Sequence, residues 1–145
     1  MEKILERIAG IVEKNAIQGG EFTGQICVLS LIDEDGFPTA AVLTPSRANG
    51  CRVLTFATLL DGNAAKRAAA CGRASVCFAS AAHCINLVGE IEVLTSAEAR
   101  RETWYDALSH HHSGADDPNY GVLKFTTKRC KYFFTDDASE GGFNI

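Results

Sequence analysis

Two dipeptides, Asp35–Gly36 and Asn49–Gly50, constrain the fold most strongly, because each stands between two runs of apolar residues. Such dipeptides favour the tight turns that join antiparallel strands. Pro45 lacks a backbone donor, so a strand that reaches it must end there or lie at a sheet edge. The pattern predicts an antiparallel meander of three strands, over residues 25–32, 39–45 and 52–58.

Later segments add further strands, and the strands outnumber the helices. Apolar and β-branched residues predict strands over 74–78 and 84–94, and a final strand or strand pair over 120–126 and 129–135. Gly89, inside the long strand, indicates a bulge or the close approach of another backbone segment. Because most connections are short, we expect a closed antiparallel barrel, since closure removes exposed strand edges.

Three helices are predicted to pack outside this barrel. Residues 1–16 have apolar side chains at helical spacing and form an amphipathic N-terminal helix. A short alanine-rich helix follows over 63–71. A third helix is expected to open at Thr95, which precedes Glu98 by the spacing of a capping box, and to run to about residue 109. Residues 137–145 are expected to be a loose tail, and the whole of 1–145 to form one domain.

Composition excludes several classes of partner. The hydrophobic fraction of 46% and the charged fraction of 22% are ordinary for a globular protein. A net charge of −4 argues against nucleic acid, which is held by an excess of Lys and Arg. No apolar run reaches the roughly 18 residues of a membrane span, and the opening MEKILERIAGIVEK has charges where a secretion signal is apolar. We expect a cytoplasmic protein without nucleic-acid or membrane partners.

The six cysteines and a run of three histidines are candidate metal ligands. The cysteines form no C-x-x-C pair, and in a cytoplasmic chain we expect buried thiols rather than disulfides. Cys27, Cys77 and Cys84 fall inside predicted strands. Consecutive helical residues point about 100° apart, so residues 110–112 cannot all converge on one ion. A solvated helix end is favoured for them, with metal or haem ligation as the alternative, and no metal site is predicted.

The segment LTFATLLDGNAAK, residues 54–66, predicts a strand, a turn and the start of a helix. The first N–H groups of a helix lack intrahelical partners and carry partial positive charge, which favours a phosphate there. Lys66 in the first turn would complete an anion site; the alternative is an ordinary solvated lysine. No nucleophile elbow, P-loop or dinucleotide fingerprint is present, and no acid and base pair stands out. No catalytic residue is therefore predicted.

The order of these elements carries a resemblance to a known family. The segments that carry it are LSLIDEDGFPTAAVLT, LTFATLLDGNAAKRAAACGRASVCFA, LVGEIEVL and KRCKYFF, and it covers roughly residues 22–136. The chain resembles the FMN-binding split-barrel proteins related to pyridoxamine 5′-phosphate oxidase, most closely their general stress protein branch. The resemblance implies a mainly β (α+β) fold, a six-stranded antiparallel split β-barrel with flanking helices. It also implies FMN bound across the second and third strands, at the interface of a homodimer.

The same resemblance implies a set of cofactor contacts. Residues on the second strand would line the isoalloxazine with backbone groups, and the end of the third strand would lie beside the ribityl chain and phosphate. Lys66 matches the family's phosphate-binding lysine, and Phe133 would approach the flavin held mainly by the other chain. The implied cofactor-binding residues are Val42, Leu43, Thr44, Ala57, Thr58, Asn63, Lys66, Cys84 and Phe133.

The sequence also departs from the oxidases in ways that bear on function. Ala64 and Ala65 stand where the oxidases carry the serine and arginine of a phosphate-binding cluster. Pyridoxamine phosphate oxidation is therefore not expected. The resemblance implies an FMN-binding oxidoreductase that acts on a small molecule of unknown identity. The alternative is a non-catalytic module that binds or sequesters a flavin, a deazaflavin or haem.

Overall fold

The structure, a computed structural model, describes residues 2–145. In chain order its elements are α1 (Glu2–Lys14), β1 (Cys27–Ile32), β2 (Pro38–Leu43), β3 (Arg47–Asn49), β4 (Val53–Leu59), α2 (Asn63–Ala70), β5 (Arg73–Ala79), β6 (His83–Leu94), α3 (Ala97–Thr103), a 3-10 helix (Asp106–His110), β7 (Tyr120–Phe134) and β8 (Glu140–Asn144).

All eight strands belong to one antiparallel sheet. Their order is β2-β1-β5-β6-β7-β4-β3, and β8 pairs with β7 outside this path. Within residues 2–145 the end strands β2 and β3 do not pair with each other, so the barrel is split and not closed. The mainly β split-barrel fold with flanking helices is confirmed. The predicted closure is wrong, and the sheet has eight strands where six were predicted, because β3 and β8 are added.

The predicted three-strand meander is also wrong, although both turn dipeptides join strands as expected. Asp35–Gly36 lies in the β1–β2 hairpin, and Asn49–Gly50 lies in the β3–β4 hairpin. However, β1 takes β5 as its second neighbour, and β4 takes β7. Turn dipeptides specify only the local pairing of a hairpin. The neighbours of each hairpin are chosen by burial across the whole sheet, which local sequence does not encode.

The C-terminal segment, predicted to be a loose tail, forms the ordered strand β8. Phe143 pairs opposite Cys130 and packs against the core. The amide of Ile145 donates to the carbonyl of Lys128 over 2.9 Å, and Phe134 donates to Ser139 over 2.8 Å. The sequence EGGFN has weak strand propensity, so the exposed edge of β7 supplies the pairing that makes it a strand.

Two other boundaries differ from the sequence prediction. The third helix begins one residue later than predicted, because Ser96 Oγ, and not Thr95, accepts the N-cap hydrogen bond from the Ala99 amide at 3.1 Å. It ends at Thr103, and the chain continues as a 3-10 helix. Of the two alternatives predicted for residues 120–135, a strand or a strand pair, the structure has one continuous 15-residue strand, β7.

The core lies between the inner face of the sheet and helix α1. Its largest fully buried members are aromatic, and Ile8 and Val12 of α1 are completely buried against it, as the amphipathic pattern predicted. Each such side chain contributes about 1.5–3 kcal/mol through burial of apolar area. The buried phenylalanines are Phe56, Phe78, Phe125 and Phe134.

Candidate functional site

A cleft of about 410 Å³ opens where β2, β4 and the start of α2 meet. Its size is within the range of cofactor sites. Its walls are the end of β2, the end of β4, the first turn of α2 and the segment that contains the 3-10 helix. The lining residues are Val42, Leu43, Thr44, Ala57, Thr58, Leu59, Gly62, Asn63, Ala64, Tyr105, Leu108, His111 and His112.

The first turn of α2 offers free backbone donors at one end of this cleft. Gly62 is the N-cap residue and supplies no side-chain hydrogen bond to the helix. The first turn contains no acidic side chain, and the carboxylate of Asp61, which precedes the N-cap, accepts a hydrogen bond from Asn119. Asn63 and Ala64 line the cleft at this point. Free backbone donors of this kind can hold an anion, and the phosphate site stays a prediction.

A side-chain clamp holds the turn between β4 and α2 in place. Asn119, just before β7, donates from Nδ2 to Asp61 Oδ1 at 3.0 Å and accepts from the Asp61 amide at 3.1 Å. Its own carbonyl accepts from the Leu60 amide at 2.8 Å. These three hydrogen bonds fix the direction in which α2 leaves the sheet, and therefore the position of its free N–H groups.

The strand residues lining the cleft have one unpaired backbone edge, because within residues 2–145 β2 pairs only with β1 and residues 57–58 of β4 pair only with β7. Thr44 Oγ1 donates to the carbonyl of Gln25 at 2.7 Å, so its hydroxyl already has a structural partner. Ala57 and Thr58 are half-buried at the end of β4, where small side chains keep the cleft open.

The segment after α3 forms the remaining wall, and its contribution could not be predicted from the sequence. Tyr105 and Leu108 line the cleft together with His111 and His112. Burial raises the pKa of the Tyr105 phenol, which therefore stays protonated at neutral pH. The only sequence signal for this wall is the polar and aromatic composition of residues 104–112.

His112 contradicts the prediction of a solvated helix end, whereas His110 and His111 are exposed as expected. The ring of His112 lies 4.8 Å from that of Tyr120 and 6.4 Å from that of Trp104, measured between centroids. Its Nδ1 lies 3.9 Å from Asp117 Oδ2. Burial lowers the pKa of His112, the Asp117 carboxylate partly opposes this, and His111 lowers it further. The fold therefore favours the neutral imidazole.

This lowered pKa predicts that acid destabilises the protein. Below the ordinary histidine pKa of about 6.5 the unfolded chain binds a proton at His112 before the folded chain does. The free energy of unfolding should therefore fall as pH decreases from about 7.5 to 5.5. Urea unfolding at both pH values measures the change. His112→Phe should reduce this pH dependence, and His110→Phe at the exposed neighbour should preserve it. Equal pH dependence in all three proteins would contradict the prediction.

The predicted cofactor residues fall into three groups. Val42, Leu43, Thr44, Ala57, Thr58 and Asn63 all line the cleft. Lys66 is exposed and lines a neighbouring depression that shares Asn63 with the cleft. Cys84 and Phe133 pair directly opposite each other on β6 and β7, away from the cleft. A single chain therefore does not bring all nine residues together.

The outer face of the sheet connects the distant residues to the cleft. Cross-strand pairing places Val42, Val28 and Cys77 in one row, and Cys84 and Phe133 in the next. Val42 is 61% exposed and Phe133 39% exposed. This face thus presents Val42 and Phe133 to solvent, while Asn86 and the exposed Lys131 continue the first row on β6 and β7.

No metal centre is evident among residues 2–145. Within that range no three His, Cys, Asp or Glu side chains are grouped so that they could hold an ion. The described part of the chain also contains no helix that is both long and apolar enough to cross a membrane.

The comparisons with known proteins agree with this fold. The model of the family described as pyridoxamine 5′-phosphate oxidase matches residues 22–134, and the protein belongs to that family. No curated protein matches the sequence significantly.

Three solved structures with the same fold are informative for the site. A protein related to general stress protein 26, from Clostridium acetobutylicum, is 22% identical with a TM-score of 0.82, covering 100% of this chain and 96% of that one. A pyridoxamine 5′-phosphate oxidase-related, FMN binding protein from Nostoc punctiforme is 13% identical with a TM-score of 0.62, covering 96% and 94%. A heme binding protein from Mycobacterium smegmatis is 16% identical with a TM-score of 0.72, covering 97% and 57%.

Proposed function

We propose that the protein binds FMN in the cleft, with the phosphate at the start of α2. The observation that carries the proposal is that one cleft joins six of the predicted flavin contacts to the uncapped helix start. The family membership and the FMN-binding relative from Nostoc punctiforme support it. The phosphate would accept hydrogen bonds from the first backbone N–H groups of α2.

The opposite end of the cleft would receive the isoalloxazine. Val42, Leu43 and Thr44 would provide backbone groups along one side, while the wall containing Tyr105 and His111 would face the ring from the other. When bound, FMN would supply transfer of one or two electrons. The chain itself would position the cofactor and exclude water from part of its surface. We propose that this serves an oxidoreductase of unknown small-molecule substrate.

A second candidate function is the binding or sequestering of haem or a deazaflavin without catalysis. Two observations favour it over a purely enzymatic role. The phosphate-binding site has Ala64 and Ala65 where the oxidases have polar side chains, and His111, an exposed imidazole, lines the cleft. Imidazole is a common axial ligand of haem, and a structural relative is described as heme binding.

Titration of the purified protein with FMN and, separately, with haem tests the proposal. We expect flavin fluorescence to be quenched with one FMN bound per chain. A Soret shift at stoichiometric haem, without FMN binding, would support the second function instead. A deazaflavin is titrated in the same way, and failure to bind any of the three at tens of micromolar would contradict both functions.

We further propose a homodimer in which the outer sheet face of one chain helps to cover the cleft of the other. The cleft has an open side, and ligand sites normally bury most of their ligand. Apolar residues of this face, including Val42 and Phe133, are exposed in the single chain, and aromatic residues are enriched at interfaces. A second copy of the chain would bury them.

Light scattering at micromolar concentration is expected to give twice the 15.6 kDa chain mass. Phe133→Ala should decrease FMN affinity by a factor between a few-fold and about tenfold, as expected for loss of an aromatic contact. Circular dichroism should remain unchanged, because Phe133 is outside the core. Phe22→Ala, at a 51% exposed loop position, is the matched control and should bind normally. A monomer that binds FMN tightly would exclude this arrangement.

A further inference from the structure

His112 is a buried residue whose ring nitrogens have no hydrogen-bond partner within residues 2–145. The residue is only 6% exposed, and it lines the cleft. Of its two ring nitrogens only Nδ1 is fully enclosed by the chain. Buried polar groups are nearly always hydrogen-bonded, so the ring indicates a partner that the described chain does not itself supply.

We propose that Nε2 of His112 accepts a hydrogen bond from a ribityl hydroxyl of the ligand in the cleft. This inference rests on the proposed function, since it takes the ligand to be FMN. It would make the cleft selective for a ligand that carries a polyol chain. The sequence favoured a solvated helix end for residues 110–112, so it did not indicate this contact.

The packing of His112 places it beside the proposed ribityl position. Its ring lies 4.8 Å from that of Tyr120, and Tyr120 pairs with Leu59 at the end of β4. Ala57 and Thr58, at the same strand end, line the cleft with it. The end of β4 leads into the helix start proposed for the phosphate, and the isoalloxazine is proposed at β2. Because the ribityl chain links phosphate and ring, we expect its hydroxyls beside His112.

The Asp117 carboxylate determines which ring nitrogen carries the proton. Its oxygens accept hydrogen bonds from the backbone amides of Ser113 and Asn119, both at 2.9 Å. These bonds lower the pKa of Asp117, so the group is ionised at neutral pH. It lies 3.9 Å from Nδ1. A lone pair on Nδ1 would face this negative charge, so the proton is favoured there. Nε2 then has a free lone pair, which is a hydrogen-bond acceptor.

The other groups around the ring do not supply the missing donor. Burial lowers the pKa of His112, the Asp117 carboxylate partly opposes this, and His111 lowers it further, so the ring is neutral and keeps its lone pair. Burial raises the pKa of Tyr120 to about 12, so its hydroxyl keeps its proton. That hydroxyl already donates to the carbonyl of Arg100 at 2.7 Å. The donor to Nε2 must therefore come from a ligand.

NMR correlation of the histidine ring protons and nitrogens in ¹⁵N-labelled protein tests the tautomer. At pH 7.5 without ligand, His112 should carry its proton on Nδ1, and its signals are assigned by their loss in His112→Phe. Saturating FMN should shift the Nε2 resonance while Nδ1 keeps its proton. A proton on Nε2 in the free protein, or an Nε2 resonance that FMN does not move, would overturn the proposal.

Flavin titrations at pH 7.5 measure the size of the contact. His112→Phe keeps a ring against Tyr120 but lacks the acceptor. It should bind FMN and riboflavin more weakly by the same factor, between about twofold and about tenfold. Its affinity for lumiflavin, which lacks the ribityl chain, should be unchanged. His112→Gln offers a carbonyl oxygen near the position of Nε2 and should restore part of the affinity. His110→Phe, at an exposed residue outside the cleft lining, is the matched control and should bind normally.

The pattern of losses separates this contact from the proposed function. If the unmodified protein binds FMN and folded His112→Phe binds all three flavins as tightly, the contact is wrong and the proposed function stands. A loss confined to FMN would assign His112 to the phosphate, and an equal loss for lumiflavin would show a general effect on the cleft. Either result would overturn the hydroxyl contact. If the unmodified protein binds no flavin, the proposed function fails and this contact fails with it.

Discussion

Gly89→Val is expected to destabilise the protein by about 3 kcal/mol or more. Gly89 lies in β6 at the register shift between Val88 and Gly89. A Cβ atom there would overlap the carbonyl oxygen of Thr126 on β7. That oxygen belongs to the backbone of the long β6–β7 ladder, so it cannot rotate away as a side chain would. The sequence predicted a bulge or a close backbone approach at Gly89. The register shift and the nearby Thr126 carbonyl confirm both.

The expected loss of unfolding free energy is large because the β6–β7 ladder lies at the centre of the sheet. Overpacking typically costs about 1–3 kcal/mol, and more where the neighbours cannot move. The total stability of a domain is only about 5–15 kcal/mol, so we expect a large fall in the urea concentration at which half of the protein is unfolded. Urea unfolding and circular dichroism measure the effect.

Gly114→Ala is the matched control for Gly89→Val. Its Cβ would meet no heavy atom within 4 Å, and we expect its stability to lie within about 0.5 kcal/mol of the unmodified protein. If Gly89→Val unfolds at the same urea concentration as this control, the close backbone approach does not constrain the strand as described.

Lys66→Ala is expected to have the largest effect on cofactor binding without unfolding the protein. Lys66 is exposed in the first turn of α2, adjacent to the cleft through Asn63. Its flexible side chain would place an ammonium beside the proposed phosphate position. A charge-assisted hydrogen bond contributes about 1.5–3 kcal/mol, which corresponds to a loss of FMN affinity of about tenfold to a hundredfold.

Fluorescence titration of the variants separates this role from general surface charge. Lys66→Arg should retain most of the affinity, because the positive charge is kept. Lys128→Ala removes an exposed lysine that pairs with Glu90 at 3.1 Å, on β7 and away from the cleft, and should bind FMN normally. The binding of the unmodified protein should also weaken as salt is added, since exposed charges are screened.

Unchanged FMN affinity in the Lys66→Ala variant would also be informative. If folded Lys66→Ala binds FMN as tightly as the unmodified protein, Lys66 is an ordinary solvated lysine. The backbone N–H groups of α2 would then hold the phosphate without it. The Lys66 assignment would be wrong, while the cleft itself would remain the proposed site.

The sequence alone determined the features that depend on neighbouring residues. The apolar spacing in residues 1–16 predicted helix α1, and the dipeptides Asp35–Gly36 and Asn49–Gly50 predicted two hairpins. Residues 54–66 predicted a strand, turn and helix, and the structure places them as β4 and α2. Each of these signals arises from local backbone preference or from side-chain periodicity, which act over a few residues.

Only the tertiary structure decided which strands are neighbours. The pairing of β4 with β7 joins residues 53–59 to residues 120–126, and the addition of β8 orders a segment of weak strand propensity. These contacts form because they bury apolar surface and satisfy backbone groups together. Their free energy belongs to the whole sheet, so no short window of sequence contains it.

The candidate site was likewise only partly predictable from the sequence. The strand ends and the helix start were predictable because each is a local pattern combined with a family resemblance. The wall containing Tyr105 and His111 and the burial of His112 were not. Each requires residues distant in sequence, or on opposite strands, to converge after folding, and side-chain burial is decided only when the surrounding elements have packed.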